Sequence, residues 1–193
     1  MFSVIDTKQK FFTTSELMDQ GLSYYKINQL VKNGALKKIN KRTYENAFYS
    51  EEENDFYTAM AYVPDGVICL MSAAMYYGLT TYIPEAVDVA IDRKKKVSTL
   101  PAWPQIKLYY FSSERMAKGV TIVREGSNFF RIYSIEKTVV DIVYYRNKVG
   151  VEETAEVLRN YLQRKDRQPN LLYACAKSLR CEKVLRTYLE VLL

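Results

Sequence analysis

The stretch TTSELMDQGLSYYKINQLVKNGALKKINKRTY, residues 13–44, decides the predicted fold of this chain. Its first part predicts a short helix. Thr13 and Glu16 stand three residues apart, the spacing of a capping box that satisfies free amide groups at a helix N-terminus. Gly21 then supplies the permissive backbone that a sharp turn between two helices requires. The stretch therefore opens as a helix followed by a tight turn.

The second helix is predicted over residues 24–33, after Ser23, a favourable N-cap. Apolar residues at i, i+3 and i+4 spacing define its buried stripe, namely Ile27, Leu30 and Val31. Each residue of a helix is rotated by about 100° from the one before it. Counted from Ile27, this rotation gives an opposite face formed by Tyr25, Asn28, Gln29 and Lys32. Asn and Gln can pair with adenine edges in a major groove, and Lys and Tyr can reach phosphates. The outward face thus has the chemistry of a recognition helix.

A hairpin is predicted directly after this helix. Gly34 ends the helix, residues 36–39 form a short strand, residues 40–41 a turn, and residues 42–44 the return strand. Phe11 and Phe12 are expected to form a strand that pairs with the hairpin, and residues 1–10 a further helix. This arrangement is typical of a winged helix-turn-helix, in which the hairpin is the wing.

Charge supports the same interpretation. Between Gly21 and Tyr44 the sequence has six cationic residues and no Asp or Glu. Such a surface suits a phosphate backbone, because each neutralised phosphate releases condensed counterions. The plainer alternative is a solvated basic face on a small helical hairpin. The candidate DNA-binding residues are Ser23, Tyr24, Tyr25, Lys26, Asn28, Gln29, Lys32, Lys37, Lys38, Lys41 and Arg42.

Composition limits the possible chemistry. The 193 residues carry a formal net charge of +6 and include no histidine, which excludes Ser-His-Asp catalysis and His-ligated metal sites. The odd set of cysteines, Cys69, Cys175 and Cys181, suits reduced thiols in helix interiors rather than a disulfide framework. No run approaches the roughly 20 apolar residues of a membrane span, and the N-terminus lacks a signal-peptide layout. A soluble cytoplasmic protein is expected.

Two domains are predicted, a winged domain over residues 1–48 and an α+β domain over residues 49–193. The second begins with acidic residues 51–55 that lead into a helix ending near Ala61. It then has a small mixed sheet and a helical C-terminal tail. The predicted strands cover residues 87–91, 105–111, 120–124 and 129–133, and the predicted helices cover residues 134–145, 151–164, a stretch opened by Pro169, and 182–193.

Several local details of the second domain are also predicted. Ser72 is expected to cap a helix that ends at Gly78. Helix 151–164 is expected to bury one face formed by Val151, Ala155, Leu158 and Leu162. Basic residues 93–96, and a second basic group on the C-terminal helices, are interpreted as solvated surface charge, with phosphate contact as the alternative.

No enzymatic motif emerges from the sequence. Neither a phosphate-binding loop nor a dinucleotide-binding glycine pattern occurs. Asp88 and Asp92 would lie about 13 Å apart along a strand, too far to share a metal ion. We therefore expect no catalytic residues, no metal site and no cofactor. The alternatives are a protein-interaction module built on a winged helix, and a metal-dependent nucleic-acid enzyme assembled from scattered carboxylates.

The chain resembles a known bacterial family in three motifs that follow one another in order. These are LVKNGAL at residues 30–36 running into KRTY at 41–44, SAAMYYGLT at 72–80, and YSIEKTVVD at 133–141. In these motifs the chain is similar to the AbiEi family of antitoxins, from type IV (abortive infection) toxin-antitoxin systems. Ser134 and Glu136 suit an N-cap and a first turn, so a structural role is expected for the third motif.

The resemblance implies a function. Such a protein would be a two-domain repressor that binds inverted repeats of double-stranded DNA in the promoter of its own operon. It would also counteract a co-encoded nucleotidyltransferase-like toxin without a stable complex, and it could self-associate on the DNA. The resemblance assigns the DNA contacts to the winged helix and assigns no residue to toxin neutralisation.

Overall fold

A computed structural model describes residues 5–192. The described part of the N-terminal quarter of the chain contains two short helices and three short strands. In order they are β1 (Phe11–Thr13), α1 (Thr14–Asp19), α2 (Tyr24–Lys32), β2 (Leu36–Lys38) and β3 (Thr43–Asn46). All five elements were predicted from the sequence to within one to two residues.

The remainder alternates strands and helices and then becomes helical. In order the elements are α3 (Asp55–Tyr62), β4 (Val67–Ile68), α4 (Leu70–Tyr76), β5 (Val87–Asp92), β6 (Ile106–Phe111), α5 (Ser113–Ala117), β7 (Val120–Glu125), β8 (Asn128–Tyr133), α6 (Ile135–Tyr144), α7 (Arg146–Val149), α8 (Val151–Gln163), α9 (Pro169–Ser178) and α10 (Glu182–Leu192). The short helices α5 and α7 were not predicted.

The first sheet is antiparallel, with strand order β1-β3-β2. Tyr44 in the central strand faces Phe12 on one side and Lys38 on the other. The predicted pairing of the segment around Phe11 and Phe12 with the hairpin is therefore confirmed. One face of this sheet and the two helices enclose a small core, formed by Phe12, Leu17, Leu22, Ile27, Leu36 and Tyr44.

The second sheet has strand order β6-β5-β4-β8-β7 and is mixed. β5 pairs with β6 and β4 with β8 in parallel, while β4–β5 and β7–β8 are antiparallel. Both faces are covered: Val87, Val89 and Ile91 pack with α3 in one core, and Ala90 belongs to the other. The predicted α+β class with a small mixed sheet is confirmed.

The C-terminal helices are part of the main core rather than a tail. Residues of α8, α9 and α10 pack against α6, among them Val157, Leu172 and Leu185. The predicted buried face of α8 is also wrong at its start, because Val151 is 62% exposed. The buried face is formed by Thr154, Val157, Leu158 and Tyr161. Thr154 can be buried because its hydroxyl donates to the Gly150 carbonyl over 2.6 Å.

Two other predictions need correction. Residues 5–10 form no helix, and the part of that prediction on residues 1–4 lies outside the described residues. Of the cysteines, only Cys175 lies within a helix, since Cys69 precedes α4 and Cys181 lies between α9 and α10. All three are free thiols, as predicted, and burial raises the pKa of each.

Helix α4 begins three residues earlier than predicted, and a residue of strand β5 caps it. Cys69 is its N-cap residue and makes no side-chain capping bond. The Asp88 carboxylate on β5 accepts from the Met71 backbone amide over 3.1 Å. Ser72, predicted as the cap, lies inside the helix, where its hydroxyl accepts from the Asp88 amide over 2.8 Å. Burial raises the pKa of Asp88 to about 6.

This raised pKa makes stability depend on pH. The folded state binds the Asp88 proton more tightly than the unfolded state, whose aspartate pKa is near 3.8. The contribution of Asp88 to the free energy of unfolding is therefore greatest below about pH 4 and is lost as the pH rises to about 6. In urea denaturation across this window, wild type should lose about 2 to 3 kcal/mol relative to Asp88→Asn. A wild-type–variant difference that stays constant with pH would contradict this.

The third resemblance motif forms a buried ionic cluster on α6. Lys137 and Asp141 are fully buried. Both Lys137 and Arg115 form ion pairs with the Asp141 carboxylate, and Arg115 Nη2 lies 2.6 Å from Asp141 Oδ1. Aromatic rings cover the cations, with Lys137 Nζ 4.1 Å from the centre of the Tyr133 ring and Arg115 Cζ 4.0 Å from that of Tyr144. Ser134 caps α6 as predicted. The motif therefore holds α6 against the sheet.

Removal of the shared carboxylate charge should be strongly destabilising. Asp141→Asn leaves two cations buried without a counterion, and a broken buried pair costs about 3 to 5 kcal/mol. We expect the urea midpoint to fall sharply. Glu114→Gln, which breaks the exposed pair with Lys118, is the control and should leave the midpoint nearly unchanged. Equal midpoints for Asp141→Asn and wild type would show that the cluster does not support the core.

Candidate nucleic-acid interface

One buried residue fixes the orientation of α2. Ile27 is fully buried in the small N-terminal core, whereas Leu30 and Val31 are only partly buried. Ser23 caps the helix by accepting from the Lys26 amide, as predicted. With Ile27 inward, the opposite side of the helix faces solvent, and Tyr25 is 71% exposed.

All eleven predicted site residues lie at the surface. Gln29 is half-buried, and the other ten are exposed. On α2 and its cap these are Ser23, Tyr24, Tyr25, Lys26, Asn28, Gln29 and Lys32, and on the hairpin they are Lys37, Lys38, Lys41 and Arg42. The structure thus presents the predicted set to solvent, although it divides the hairpin cations between different faces.

Tyr25 and Gln29 form a pair on the exposed face of α2. The Gln29 Nε2 group donates to the Tyr25 hydroxyl over 3.1 Å. This bond uses one of the two amide hydrogens and leaves the other hydrogen and the Oε1 acceptor. A bidentate pair with adenine requires one donor and one acceptor. Tyr25 can therefore orient the Gln29 amide without blocking such a pair.

The start of α2 and the tip of the hairpin share one open groove. Tyr24, Lys41 and Arg42 line it together with the start of α1, and its volume is about 520 Å³. The Thr14 amide donates to the Arg42 carbonyl over 2.8 Å, which ties the hairpin to α1. Thr13 and Glu16 form the predicted capping box, so the Glu16 carboxylate is already engaged. Cationic and tyrosine side chains thus meet beside the exposed helix.

Strand geometry separates Lys37 from Lys38. Consecutive residues of a strand point to opposite faces of the sheet. Lys38 lies opposite Tyr44, with its Nζ 5.9 Å from the centre of that ring, on the face shared with α1 and α2. Lys37 lies opposite Glu45, and its Nζ is 3.5 Å from the carboxylate. Lys38 is therefore on the side of α2, and Lys37 is not.

Sequence reasoning placed Asn40 in the hairpin turn but missed its contact with α3. The Asn40 side chain accepts from the Arg42 amide over 2.9 Å and donates to the Ala61 carbonyl of α3 over 3.2 Å. Asparagine in a turn was a local signal, but its bond to α3 spans 21 residues of sequence. Asn40 thus joins the turn to α3.

A second junction lies at the other end of the N-terminal sheet. The Asn128 side chain, at the β7–β8 turn, accepts from the Lys10 amide and donates to the Lys8 carbonyl, each over 2.8 Å. Asn46 donates to the carbonyls of Asp6 and Gln9. Residues 6–10 are therefore held between the β7–β8 turn and the end of β3 that lies away from the hairpin tip.

Two further observations concern other kinds of site. Within residues 5–192, no three His, Cys, Asp or Glu side chains come together in a way that could hold a metal ion. In the same part of the chain no helix has the length and apolar character needed to cross a bilayer. Comparison with models of known protein families finds no match, and comparison with curated proteins finds none either.

Proposed function

We propose that this chain is a sequence-specific DNA-binding protein that reads a major groove with α2. One observation carries the proposal: the solvent-facing side of α2 presents Tyr25, Asn28 and Gln29, and Tyr24 at the start of the same helix shares a groove with Lys41 and Arg42 of the hairpin tip. A helix of this size fits the major groove, and amide side chains read base edges there.

The order β1-α1-α2-β2-β3 supports the interpretation of residues 1–48 as a winged helix-turn-helix. In this proposal α2 is the recognition helix and the β2–β3 hairpin is the wing. Gly21, at φ +84°, makes the turn between the helices, and the Leu22 amide closes it on the Leu17 carbonyl over 3.0 Å. Leu22 is buried with Leu17, so the angle between the helices is fixed by the same small core that orients α2.

The contacts divide into base readers and phosphate binders. Gln29 and Asn28 are the proposed readers, with Gln29 oriented by Tyr25. Phosphate contacts are proposed for Tyr25, Lys32, Lys38, Lys41 and Arg42, with Ser23, Tyr24 and Lys26 at the helix start beside the backbone. Lys37 is a weaker candidate because Glu45 lies next to it.

The resemblance to AbiEi antitoxins supports a more specific role. We infer an autorepressor in the cytoplasm that binds promoter inverted repeats, with residues 49–193 as the domain that counteracts a nucleotidyltransferase-like toxin. The resemblance does not carry over any neutralising residue. Binding of a protein instead of DNA is the competing role for the same surface, and DNA titration across a salt series separates the two.

The reader assignment makes a direct prediction. Replacement of Tyr25, Gln29 and Lys32 by Ala should abolish binding to the upstream promoter DNA in a gel shift, because it removes the oriented amide and two phosphate contacts. The matched control is Tyr82→Ala/Gln105→Ala/Lys148→Ala. It removes the same three residue types from an exposed groove beside the start of β5 and should bind like wild type. Undiminished affinity of the first variant would rule out α2 as the reader.

The wing makes a separate prediction. Each phosphate contact contributes about one unit to the slope of log K against log salt concentration. Fluorescence anisotropy should give a slope about one unit shallower for Lys41→Ala than for wild type. Lys37→Ala, a change of the same charge on the face of the sheet away from α2, should alter the slope less. Equal slopes for wild type and Lys41→Ala would count against the wing.

A further inference from the structure

A basic loop that follows β5, outside the N-terminal unit, lies beside the hairpin tip. Residues 93–96, Arg-Lys-Lys-Lys, follow β5 and are all exposed. No sequence pattern associates them with the hairpin, about 50 residues earlier. In the structure Lys95 and Lys96 line one groove of about 550 Å³ together with Asn40, Lys41 and Arg42.

Both walls of this groove are held in place by hydrogen bonds. On one side Asn40 joins the hairpin turn to the Ala61 carbonyl. On the other side the loop forms a turn in which the Lys95 amide donates to the Asp92 carbonyl and the Lys94 amide to the Asp92 carboxylate, each over 2.8 Å. The Arg93 amide donates to the Phe111 carbonyl over 2.9 Å, which extends the β5–β6 pairing. The loop is therefore presented by the sheet.

The charge of the groove is strongly positive. Its lining includes four cationic residues and one carboxylate, Asp65. Asp65 is paired with Lys95, which neutralises the charge of that lysine. Among the ion pairs of the described residues none involves Lys96, Lys41 or Arg42. These three cations therefore face the groove without a compensating acid.

We propose that the end of this loop, Lys95 and Lys96, is a second phosphate-binding element, which grips the DNA backbone next to the wing through Lys96. This inference rests on the proposed DNA-binding function and extends the interface from the N-terminal domain to the α+β domain. Asp65 limits the strength of the contact, because it engages Lys95 and repels phosphate.

The alternative interpretation is that these lysines make no DNA contact and are ordinary solvated charge. The two interpretations differ in what Asp65 does. If the groove binds phosphate, Asp65→Asn releases Lys95 and adds a cation to the contact. If the lysines are only solvated, the loss of one exposed acid at this place has no more effect than the loss of one elsewhere on the surface.

Fluorescence anisotropy with promoter DNA across a salt series tests the proposal. Lys96→Ala should make the salt slope about one unit shallower and weaken binding several-fold for every duplex sequence. The matched control is Lys94→Ala, which removes an equal charge two residues away but outside the groove lining. It should change the slope less than Lys96→Ala does.

Asp65→Asn should tighten binding and steepen the slope, and Asp166→Asn is its control. Asp166 pairs with Arg164 and is 62% exposed, against 64% for Asp65. Equal slopes for Lys96→Ala and Lys94→Ala, or equal affinities for the two aspartate variants, would overturn the loop contact and leave the α2 proposal intact. Failure of wild type to bind any duplex would overturn both.

Discussion

Burial of Ile27 is the constraint on which the account depends. α2 is only nine residues long and has one fully buried side chain, which packs with Leu17 and Tyr44. Because Ile27, with the partly buried Leu30 and Val31 beside it, sets the rotation of the helix, it also decides that Tyr25 and Asn28 face solvent. Burial of a large aliphatic side chain contributes about 1.5 to 3 kcal/mol. A rotation that turned the polar face inward would lose this energy and bury unpaired amides as well.

The shape of the proposed DNA-binding surface depends on how the small N-terminal unit is attached to the rest of the described chain. Asparagine side chains make the connections, Asn40 to α3 and Asn128 to residues 8–10. Through the Asn40 contact the hairpin tip lies beside the loop at the C-terminal end of β5. The other end of β5 borders a cleft lined by five carboxylates, Glu52, Glu53, Asp55, Glu85 and Glu125, and by exposed Trp103. Charge is therefore polarised along this strand, with the cations at the end that carries the proposed DNA contacts.

Features encoded locally were predictable from the sequence. The capping box at Thr13, the Ser23 and Ser134 caps and the alternating strands depend on residues within a few positions of each other, and the structure contains all of them. The cap of α4 was not predictable, because its acceptor, Asp88, lies 17 residues away on another strand. The same holds for the position of the basic loop beside the hairpin tip. The buried face of α8 was misplaced because burial of Thr154 depends on a hydroxyl bond that apolar periodicity does not report. The winged-helix interpretation and the DNA contacts remain proposals.

Photocrosslinking from position 25 tests the central claim most directly. Tyr25 would be replaced by a photoreactive phenylalanine analogue, and the protein irradiated with labelled promoter DNA. The control would carry the analogue in place of Tyr82, which is also exposed, at 47%. The account predicts that position 25 crosslinks to bases within the binding site, that unlabelled promoter DNA suppresses this crosslink, and that position 82 gives none. Crosslinking from position 82 alone, or equally from both positions, would contradict it.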